Sequence, residues 1–283
     1  MPELPELEAL VEALDPLVSR APVRDVPTAH FAVVKTATPP IDWLGGHPLT
    51  GAVRRGKHLV FPTDDGLVLT IHLMTAGKLA YVEPGEKRPP GGPVLVVRFD
   101  DGGELIVNER VTRKQVRVRL LPSTELDEEF SRLGPEPLDP AFDDAALEHA
   151  LARGGQLHTL LRDQRAILGI GRAYANEILH AARLAPFAPA DRLSPEERER
   201  LLLAIRGTLT DGIERFRPRG PRMIAKGKTP EVYDIHGHAG EACPRCGSEM
   251  KSVDFADHQV VYCPTCQTRG QVYADRRRSR LLK

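Results

Sequence analysis

The chain has 283 residues and a mass of 31.2 kDa, which is more than one hydrophobic core usually organises, so we expect two or three domains. The apolar fraction of 41% and the charged fraction of 28% are those of a globular protein and exclude a disordered or collagen-like chain. No run approaches roughly eighteen consecutive apolar residues, and the acidic start Met1–Glu6 has no secretory leader pattern. We therefore expect a cytoplasmic protein that does not enter a membrane.

The formal net charge of zero conceals an asymmetry between the two halves. Residues 1–150 hold 16 Lys and Arg against 24 Asp and Glu, so they carry −8 and residues 151–283 carry +8. Basic residues are concentrated in Arg206–Lys228 and Arg269–Lys283. This distribution favours a half that faces nucleic acid, although a solvated basic surface would look the same.

The N-terminal half predicts a helix followed by strands. Residues 3–18 predict an amphipathic helix, because Pro5 lies near its start and apolar residues recur with helical spacing at Leu7, Leu10, Val11 and Leu14. Strand-like runs then follow at Leu67–Leu73, Val94–Phe99 and Gln115–Leu120, with turn residues at 64–66 and 100–103. We expect an antiparallel β-sandwich with the helix laid across it.

The second half predicts helices. Helical runs occur at Asp143–Leu151, Leu157–Ile167, Arg172–Arg183 and from Ser194 toward Phe216. Ser194 is the expected N-cap of the last helix, with Pro195 in its first turn and Glu197 as the capping-box acid. The basic, Gly- and Pro-containing segment Pro218–Gly227 predicts a mobile loop.

All four cysteines lie near the C-terminus, as the pairs Cys243/Cys246 and Cys263/Cys266. Two Cys-x2-Cys turns at this separation can place four thiolates around one zinc ion. The alternative is a pair of disulfides, which a reducing compartment disfavours. A site closed by four thiolates leaves no position for water, so we expect one structural Zn²⁺.

The N-terminus offers a nucleophile. Proline at position 2 permits removal of Met1, which would leave a secondary amine at Pro2 beside Glu3. An α-amino group titrates at about pH 8, so its neutral fraction can attack an electrophilic carbon such as a sugar C1′. The resulting iminium would acidify the C2′ proton and permit strand elimination. The Met-Pro-Glu start is common, so it indicates catalysis only together with other motifs.

Four motifs in order supply that context. MPELPE at Met1–Glu6, RRGKHL at Arg54–Leu59, LGIGRAYANEI at Leu168–Ile178 and the four-cysteine ribbon resemble the motifs of the formamidopyrimidine-DNA glycosylase and endonuclease VIII family. The third motif resembles its helix-two-turns-helix element. The resemblance extends from Pro2 to about Gln267.

The resemblance implies roles for four catalytic residues. Pro2 would be the nucleophile, Glu3 the general acid/base and Glu6 a support for the nucleophile, while Lys57 would contact the phosphate beside the lesion. Proton exchange by a carboxylate and phosphate pairing by an ammonium suit these roles. The alternatives are helix-terminal acids for Glu3 and Glu6 and a solvated lysine at a strand end.

The resemblance also implies DNA-binding residues, with departures from the family. Gly171, after Gly169, would present backbone N–H groups to a phosphate, and Arg172 follows where the family has Asn. His258 replaces a zinc-finger Arg. The residues that fill the space of a flipped nucleotide would be Met74, after a one-residue shift, Arg113, and Gln115 in place of Phe. The loop from Arg217 to Tyr233 is shorter than in the formamidopyrimidine branch.

We therefore expect an α+β multidomain protein with a sandwich domain at residues 1–130, a helix-two-turns-helix domain at 131–228 and a zinc ribbon with a basic tail at 229–283. It would be a monomeric, nucleoid-associated glycosylase and abasic-site lyase that binds damaged double-stranded DNA. One alternative is a damage-binding protein of this fold with little or no catalysis. Another, a zinc-ribbon scaffold, leaves Pro2, Glu3 and Lys57 unexplained.

Overall fold

A computed structural model describes residues 1–223, 232–256 and 258–273. It divides into two compact units, the first made of Met1–Arg132 with the described part of Ile213–Gly227, the second of Leu133–Gly212 with the described part of Lys228–Lys283. Most of the tail after Arg269, and the predicted mobile loop from residue 224 onward, lie outside the described residues. The three-domain division at residues 130 and 228 stays a prediction.

The first unit is the predicted sandwich with its helix. Its elements in chain order are α1 (Leu4–Val18), β1 (Val23–Ala29), β2 (Val53–Arg55), β3 (His58–Pro62), β4 (Leu67–His72), β5 (Lys78–Val82), β6 (Pro93–Phe99), β7 (Glu104–Asn108), β8 (Arg117–Pro122) and α2 (Ser123–Phe130). The strands form two antiparallel sheets, with orders β1-β6-β7-β5 and β2-β3-β4-β8.

One hydrophobic core joins the two sheets and α1. Alternate residues of the strands point into it, as the side-chain period of two requires. Phe61 and Ile71 come from one sheet, Val97 and Phe99 from the other, and Leu14 from α1, and each is at most 1% exposed. Burial of this apolar surface is the main stabilisation of the unit.

Two polar contacts fix α1 against the start of the second sheet. The Arg54 Nε donates to the Glu8 carboxylate at 2.6 Å, and the Arg54 side chain is only 6% exposed. Two helical turns further along α1, the Asp15 carboxylate accepts the Ala52 N–H at 2.8 Å. Because a buried charge is costly when unpaired, these contacts set the position of α1 along β2.

The second unit contains helices and a small hairpin. Its elements are α3 (Asp144–Leu151), α4 (Leu157–Leu161), α5 (Arg172–Ala181), α6 (Pro195–Phe216, in which the division between the units falls), β9 (Lys251–Asp254), β10 (Gln259–Tyr262) and α7 (Pro264–Thr268). The capping box of α6 is confirmed, since the Glu197 N–H donates to Ser194 Oγ and the Ser194 N–H donates to the Glu197 carboxylate.

The predicted helix Leu157–Ile167 was wrong in length. It ends at Leu161 and is followed by turns. The Asp163 carboxylate accepts the Arg165 N–H, and the Gln164 amide bonds the Gly169 N–H and the Ile170 carbonyl. These side-chain bonds to the backbone compete with the helix, while Ala166 and Ile167 still bury their apolar side chains.

The buried helix α5 organises the second unit. The Glu177 carboxylate accepts the N–H groups of Asp234, Ile235 and His236 at 3.1, 3.0 and 2.7 Å. Burial raises the pKa of Glu177, and the three N–H bonds oppose that shift. The His180 imidazole lies 3.2 Å from the Cys243 sulfur. The helix thus holds the segment that leads into the four cysteines.

Among the described residues, no helix combines the length and the hydropathy that crossing a membrane would require.

Replacement of Glu177 by Ala should strongly destabilise the second unit. Three backbone N–H groups would lose their partner, and the free energy of unfolding should fall by about 3 kcal/mol. Urea unfolding followed by circular dichroism, with hydrogen exchange at residues 234–236, measures the loss. The control is Glu199→Ala on the exposed face of α6, expected within about 0.5 kcal/mol of wild type. Equal stability of the two variants would contradict the anchoring role of Glu177.

Candidate functional site

The N-terminal amine lies in a cluster of charged groups at the start of α1. Glu3 occupies the N-cap position, Pro5 lies in the first turn and Glu6 is the acid of that turn. Glu3 and Lys57 are each only 7% exposed. The charges of Glu3, Glu6 and Lys57 all act on the amine. The first unit therefore brings the predicted carboxylates and the lysine together around the chain terminus.

Burial dominates the electrostatics of this cluster. It lowers the pKa of the terminal amine, here on Met1, because a charged ammonium loses water; Glu3 and Glu6 oppose the shift. Burial also raises the pKa of Glu6, opposed by Lys78 and Arg219. An amine that loses its proton more readily, beside a carboxyl group that holds its proton more readily, is an arrangement suited to nucleophilic attack and proton transfer.

Lys57 is presented by a tight turn. Gly56 and Lys57 form the two-residue connection between β2 and β3, whose flanking residues Arg55 and His58 are paired. Gly56 has φ of 57°, the left-handed value that the first position of a type II′ hairpin turn requires. The Arg54 Nη1 donates to the Gly56 carbonyl at 2.9 Å, so the pair of Arg54 with Glu8 also holds this turn.

Two cations near Glu6 were not found from the sequence. Lys78 begins β5, and Arg219 ends a short 3-10 turn at Arg217–Arg219. Arg217 fixes that turn to α1 through two bonds to the Glu12 carboxylate, at 2.7 and 3.0 Å. Lys78 acts on both the amine and Glu6, and Arg219 acts on Glu6. Lys78 and Arg219 lie 72 and 213 positions from Glu6 in the chain, and such long-range neighbours leave no local signal in the sequence.

The predicted space-filling residues lie around one open cavity. It has a volume of about 510 Å³ and is lined by Lys35, Met74, Arg113, Lys114, Gln115, Arg117 and Arg119. Met74 adopts φ of 51°, with its N–H donating to the His72 Nδ1 at 3.1 Å. Gln115 accepts a hydrogen bond from the Thr75 hydroxyl at 2.8 Å. The cavity is rich in cations and suits a polyanion.

A buried carboxylate shapes the rim of this cavity. Glu109 is 1% exposed and accepts the N–H groups of Gln115 and Val116, at 2.8 and 3.3 Å. The Lys114 ammonium donates to the Glu109 carbonyl at 2.7 Å. Glu109 therefore determines how Arg113 and Gln115 are displayed, and its sequence context gave no indication of this.

In the second unit, the turn before α5 has the predicted glycine geometry in part. Gly169 has φ of 80°, whereas Gly171, the N-cap of α5, is extended with φ of −129°. Arg172 is the first residue of the helix. The N-terminus of α5 thus follows a rigid turn, and the positive end of a helix dipole is a favourable place for a phosphate.

His258 lies at the tip of the β9–β10 hairpin. The Phe255 N–H donates to the His258 carbonyl at 2.8 Å and closes the tip. The His258 ring stacks with Phe255 and with His158. Its Nε2 lies 2.6 Å from the Arg162 guanidinium.

The four cysteines fit a zinc site. Their sulfur atoms all lie within 4.8 Å of one another, with Cys243–Cys266 at 4.0 Å and Cys246–Cys263 at 3.5 Å. A tetrahedral site with Zn–S bonds of about 2.3 Å has sulfur–sulfur edges of about 3.8 Å. All four are free thiols. When bound, zinc supplies folding energy to the ribbon and leaves no open position for catalysis.

Comparison with known proteins identifies the family. Residues 1–118 match the family model of the formamidopyrimidine-DNA glycosylase N-terminal domain, and residues 133–218 match the model of its H2TH domain. Residues 240–269 match the model of the zinc finger found in FPG and IleRS. The formamidopyrimidine-DNA glycosylase of Chloroflexus aurantiacus is 33% identical over 274 residues, covering 94% of this chain and 98% of that protein. The chain belongs to the formamidopyrimidine-DNA glycosylase family. It is a DNA repair glycosylase and abasic-site lyase with a structural zinc finger.

Other relatives span the same length. The formamidopyrimidine-DNA glycosylase of Moorella thermoacetica is 34% identical over 271 residues, covering 89% of this chain and 94% of that protein. A Lactococcus lactis structure of a family member, non-covalently bound to DNA containing an abasic site, matches with a TM-score of 0.81 and 26% identity, covering 94% of this chain and 99% of that chain. A second, with DNA containing Fapy-dG, has a TM-score of 0.82, 26% identity and coverages of 94% and 100%.

Replacement of Cys246 by Ser should release the zinc. Four-thiolate binding contributes folding energy to a ribbon too small for a large core, so the variant should lose its metal and the ordered hairpin. Atomic absorption measures the metal. Fluorescence of Trp43, the single tryptophan, reports the first unit, which should stay folded.

The matched control for Cys246→Ser is Thr265→Ser, an exposed change within the second cysteine pair that keeps the hydroxyl group. It should retain one zinc per chain. Full zinc occupancy of Cys246→Ser would show that this cysteine is not a ligand.

Proposed function

We propose that this enzyme acts on damaged double-stranded DNA through the amine of Pro2, exposed by removal of Met1. The observation that carries the proposal is the cluster of Glu3, Glu6 and Lys57 around the buried N-terminal amine. The processed chain would place its amine one residue further along, next to the N-cap Glu3.

The chemistry follows from the reactivity of a secondary amine. The neutral Pro2 nitrogen attacks C1′ of the damaged nucleotide, the N-glycosidic bond breaks and the base leaves with a proton. The C1′–O4′ bond then breaks as O4′ takes a proton, and the nitrogen lone pair forms the iminium. The iminium makes the C2′ proton acidic; removal of that proton breaks the C3′–O bond and releases the strand on the 3′ side with its 5′ phosphate. Water then hydrolyses the iminium and restores the amine.

The neighbouring groups serve the proton transfers and hold the substrate. Glu3 assists ring opening and exchanges protons with the sugar, and Glu6 supports the nucleophile. Lys57, fixed by its two-residue turn, pairs with the phosphate beside the lesion as a point charge. Burial lowers the pKa of the Met1 amine, and similar burial of the Pro2 amine after processing would increase its neutral, nucleophilic fraction at physiological pH.

The base must leave the stack before its glycosidic carbon can be reached. We assign Met74, Arg113 and Gln115, which lie around the cation-lined cavity, to the space that the flipped nucleotide leaves. Gln115 stacks less than an aromatic residue would and offers hydrogen bonds instead. In the second unit, Gly171 and Arg172 contact a phosphate, and His258 belongs to the same DNA-binding surface.

An abasic site is the substrate we expect to be processed most readily. It needs neither a lesion pocket nor a leaving base, whereas the loop that would contact an oxidised purine is short in this sequence. The enzyme would act as a cytoplasmic monomer associated with the nucleoid. Solved relatives from Lactococcus lactis bind DNA containing an abasic site or Fapy-dG, which supports damaged DNA as the ligand.

Borohydride should trap the enzyme on abasic-site duplex DNA. Reduction converts the iminium to a stable amine, so a covalent protein–DNA band should form with protein whose processed N-terminus has been verified by mass spectrometry. Pro2→Gly with one residue added in front should give no band, and Glu3→Gln should slow turnover at least about tenfold.

The control for the trapping experiment is Glu128→Gln, which removes one exposed carboxylate from α2 of the same unit and leaves the contacts of α1 intact. It should still form the adduct. Absence of any adduct with correctly processed wild-type protein that binds the DNA would favour the damage-binding alternative.

Lys57→Ala should reduce the salt dependence of DNA binding. One phosphate contact contributes about −0.9 to the slope of log affinity against log salt, so the slope should flatten by about one unit. Fluorescence anisotropy at several salt concentrations measures it. Lys87→Ala, an exposed lysine of the same unit, is the control and should leave the slope unchanged. An unaltered slope in Lys57→Ala would place this residue outside the interface.

A further inference from the structure

The tip of the zinc-ribbon hairpin carries an aromatic stack. His258 and Phe255 are stacked at 4.7 Å between ring centroids and 6° between planes. His258 and His158, which lies on α4, are parallel within 2° at 5.7 Å. The His258 ring therefore packs the hairpin tip against α4.

The same ring contacts a guanidinium. The Arg162 Nη1 lies 2.6 Å from the His258 Nε2. A guanidinium has donors only and stays charged, so Nε2 must accept and the ring proton must be on Nδ1. In this contact His258 is neutral, and the permanent charge at the hairpin tip belongs to Arg162.

Arg162 is held at the start of the turn that leads into α5. It is the C-cap of α4, and its carbonyl accepts a hydrogen bond from the Gln164 amide at 2.9 Å, while the same amide side chain binds Gly169 and Ile170. The backbone of Arg162 is thus tied to the turn that ends at the N-cap Gly171. Arg162 is partly exposed, as a ligand-binding cation must be.

A buried histidine lies beside Arg162. His158 is 2% exposed, and hydrogen bonds with the Asn176 side chain and the Arg172 backbone act on its ring. It lies close to Arg162, His258 and the backbone of Arg172. Burial, followed by the charge of Arg162, lowers the pKa of His158 to about 3, so its ring is neutral and adds no charge. The nearby acid Asp163 lies 3.7 Å from Arg153.

We infer that Arg162 is the cation that binds a DNA phosphate at the hairpin tip, and that His258 positions its guanidinium. A permanently charged guanidinium matches the several oxygens of a phosphodiester better than a neutral imidazole does. The inference rests on the proposed DNA binding. It assigns His258 a positioning role in place of a direct phosphate contact.

Arg162→Gln tests the charge with least disturbance, since the Gln amide keeps an N–H donor for His258. Binding of fluorescein-labelled duplex with a tetrahydrofuran abasic site is measured by anisotropy between about 0.05 and 0.2 M salt. Affinity should fall about tenfold and the salt slope should flatten by about one unit. Arg162→Lys should restore the slope. His258→Gln, whose amide oxygen can still accept from Arg162, should keep the slope and lose less than about threefold in affinity.

The matched control is Arg153→Gln, which removes one exposed charge from the same unit and should bind within about twofold of wild type. Zinc content and thermal unfolding confirm that each variant is folded. If the Arg162→Gln variant is not folded, the Arg162→Met variant takes its place in the experiment.

The outcomes separate the two proposals. A wild-type protein without salt-dependent DNA binding would overturn the proposed function, and this inference with it. If the wild type binds DNA and Arg162→Gln leaves the slope of log affinity against log salt unchanged, the inference about Arg162 is overturned and the proposed function is not. A flattened slope in His258→Gln would also overturn the inference, because it would give the phosphate contact to the histidine.

Discussion

The second unit depends on one buried carboxylate that accepts three backbone N–H groups. Glu177 sits in a helix whose side chains are buried on nearly every face, and its bonds to residues 234–236 decide where the chain returns to α5. Such bonds are strong because the acceptor is buried and charged groups bond more tightly than neutral ones. From that point the chain enters the cysteine ribbon, with Gln267 also bonded to the Leu184 carbonyl after α5.

In the first unit, ion pairs hold the chain in position, as the bonds of Glu177 to the backbone do in the second unit. Arg54 and Glu8 join the lysine-bearing turn to α1, and Arg217 with Glu12 joins a distant turn to the same helix. Both pairs bring charges toward the chain terminus, where burial makes them act strongly. The contacts that orient α1 therefore determine where the charged groups lie around the N-terminal amine. A change in those contacts would alter the reactivity of the amine without replacing a reacting group.

The sequence was sufficient where local pattern and short motifs carry the information. Alternation gave the sandwich, cysteine spacing gave the metal ribbon, and Ser194 with Glu197 gave the start of α6. Lys78, Arg219, Arg162 and Glu109 were missed, because their roles come from neighbours far along the chain. The end of α4 was misjudged for a related reason: the Gln164 amide bonds to groups five and six residues later, which helical periodicity does not reveal. The substitution at His258 was visible in the sequence, but its contact with Arg162 needed the fold.

The two-residue hairpin at Gly56 and Lys57 limits how this sequence can diverge. Its length fixes the pairing of Val53 with Val60, and a single inserted residue would turn every following side chain of one strand to the opposite face. A replacement at Gly56 would have to tolerate a left-handed backbone. Mutational drift and directed-evolution libraries should therefore leave this loop at constant length and vary the residues around it. Insertions would be accepted instead in peripheral loops whose backbone is solvated.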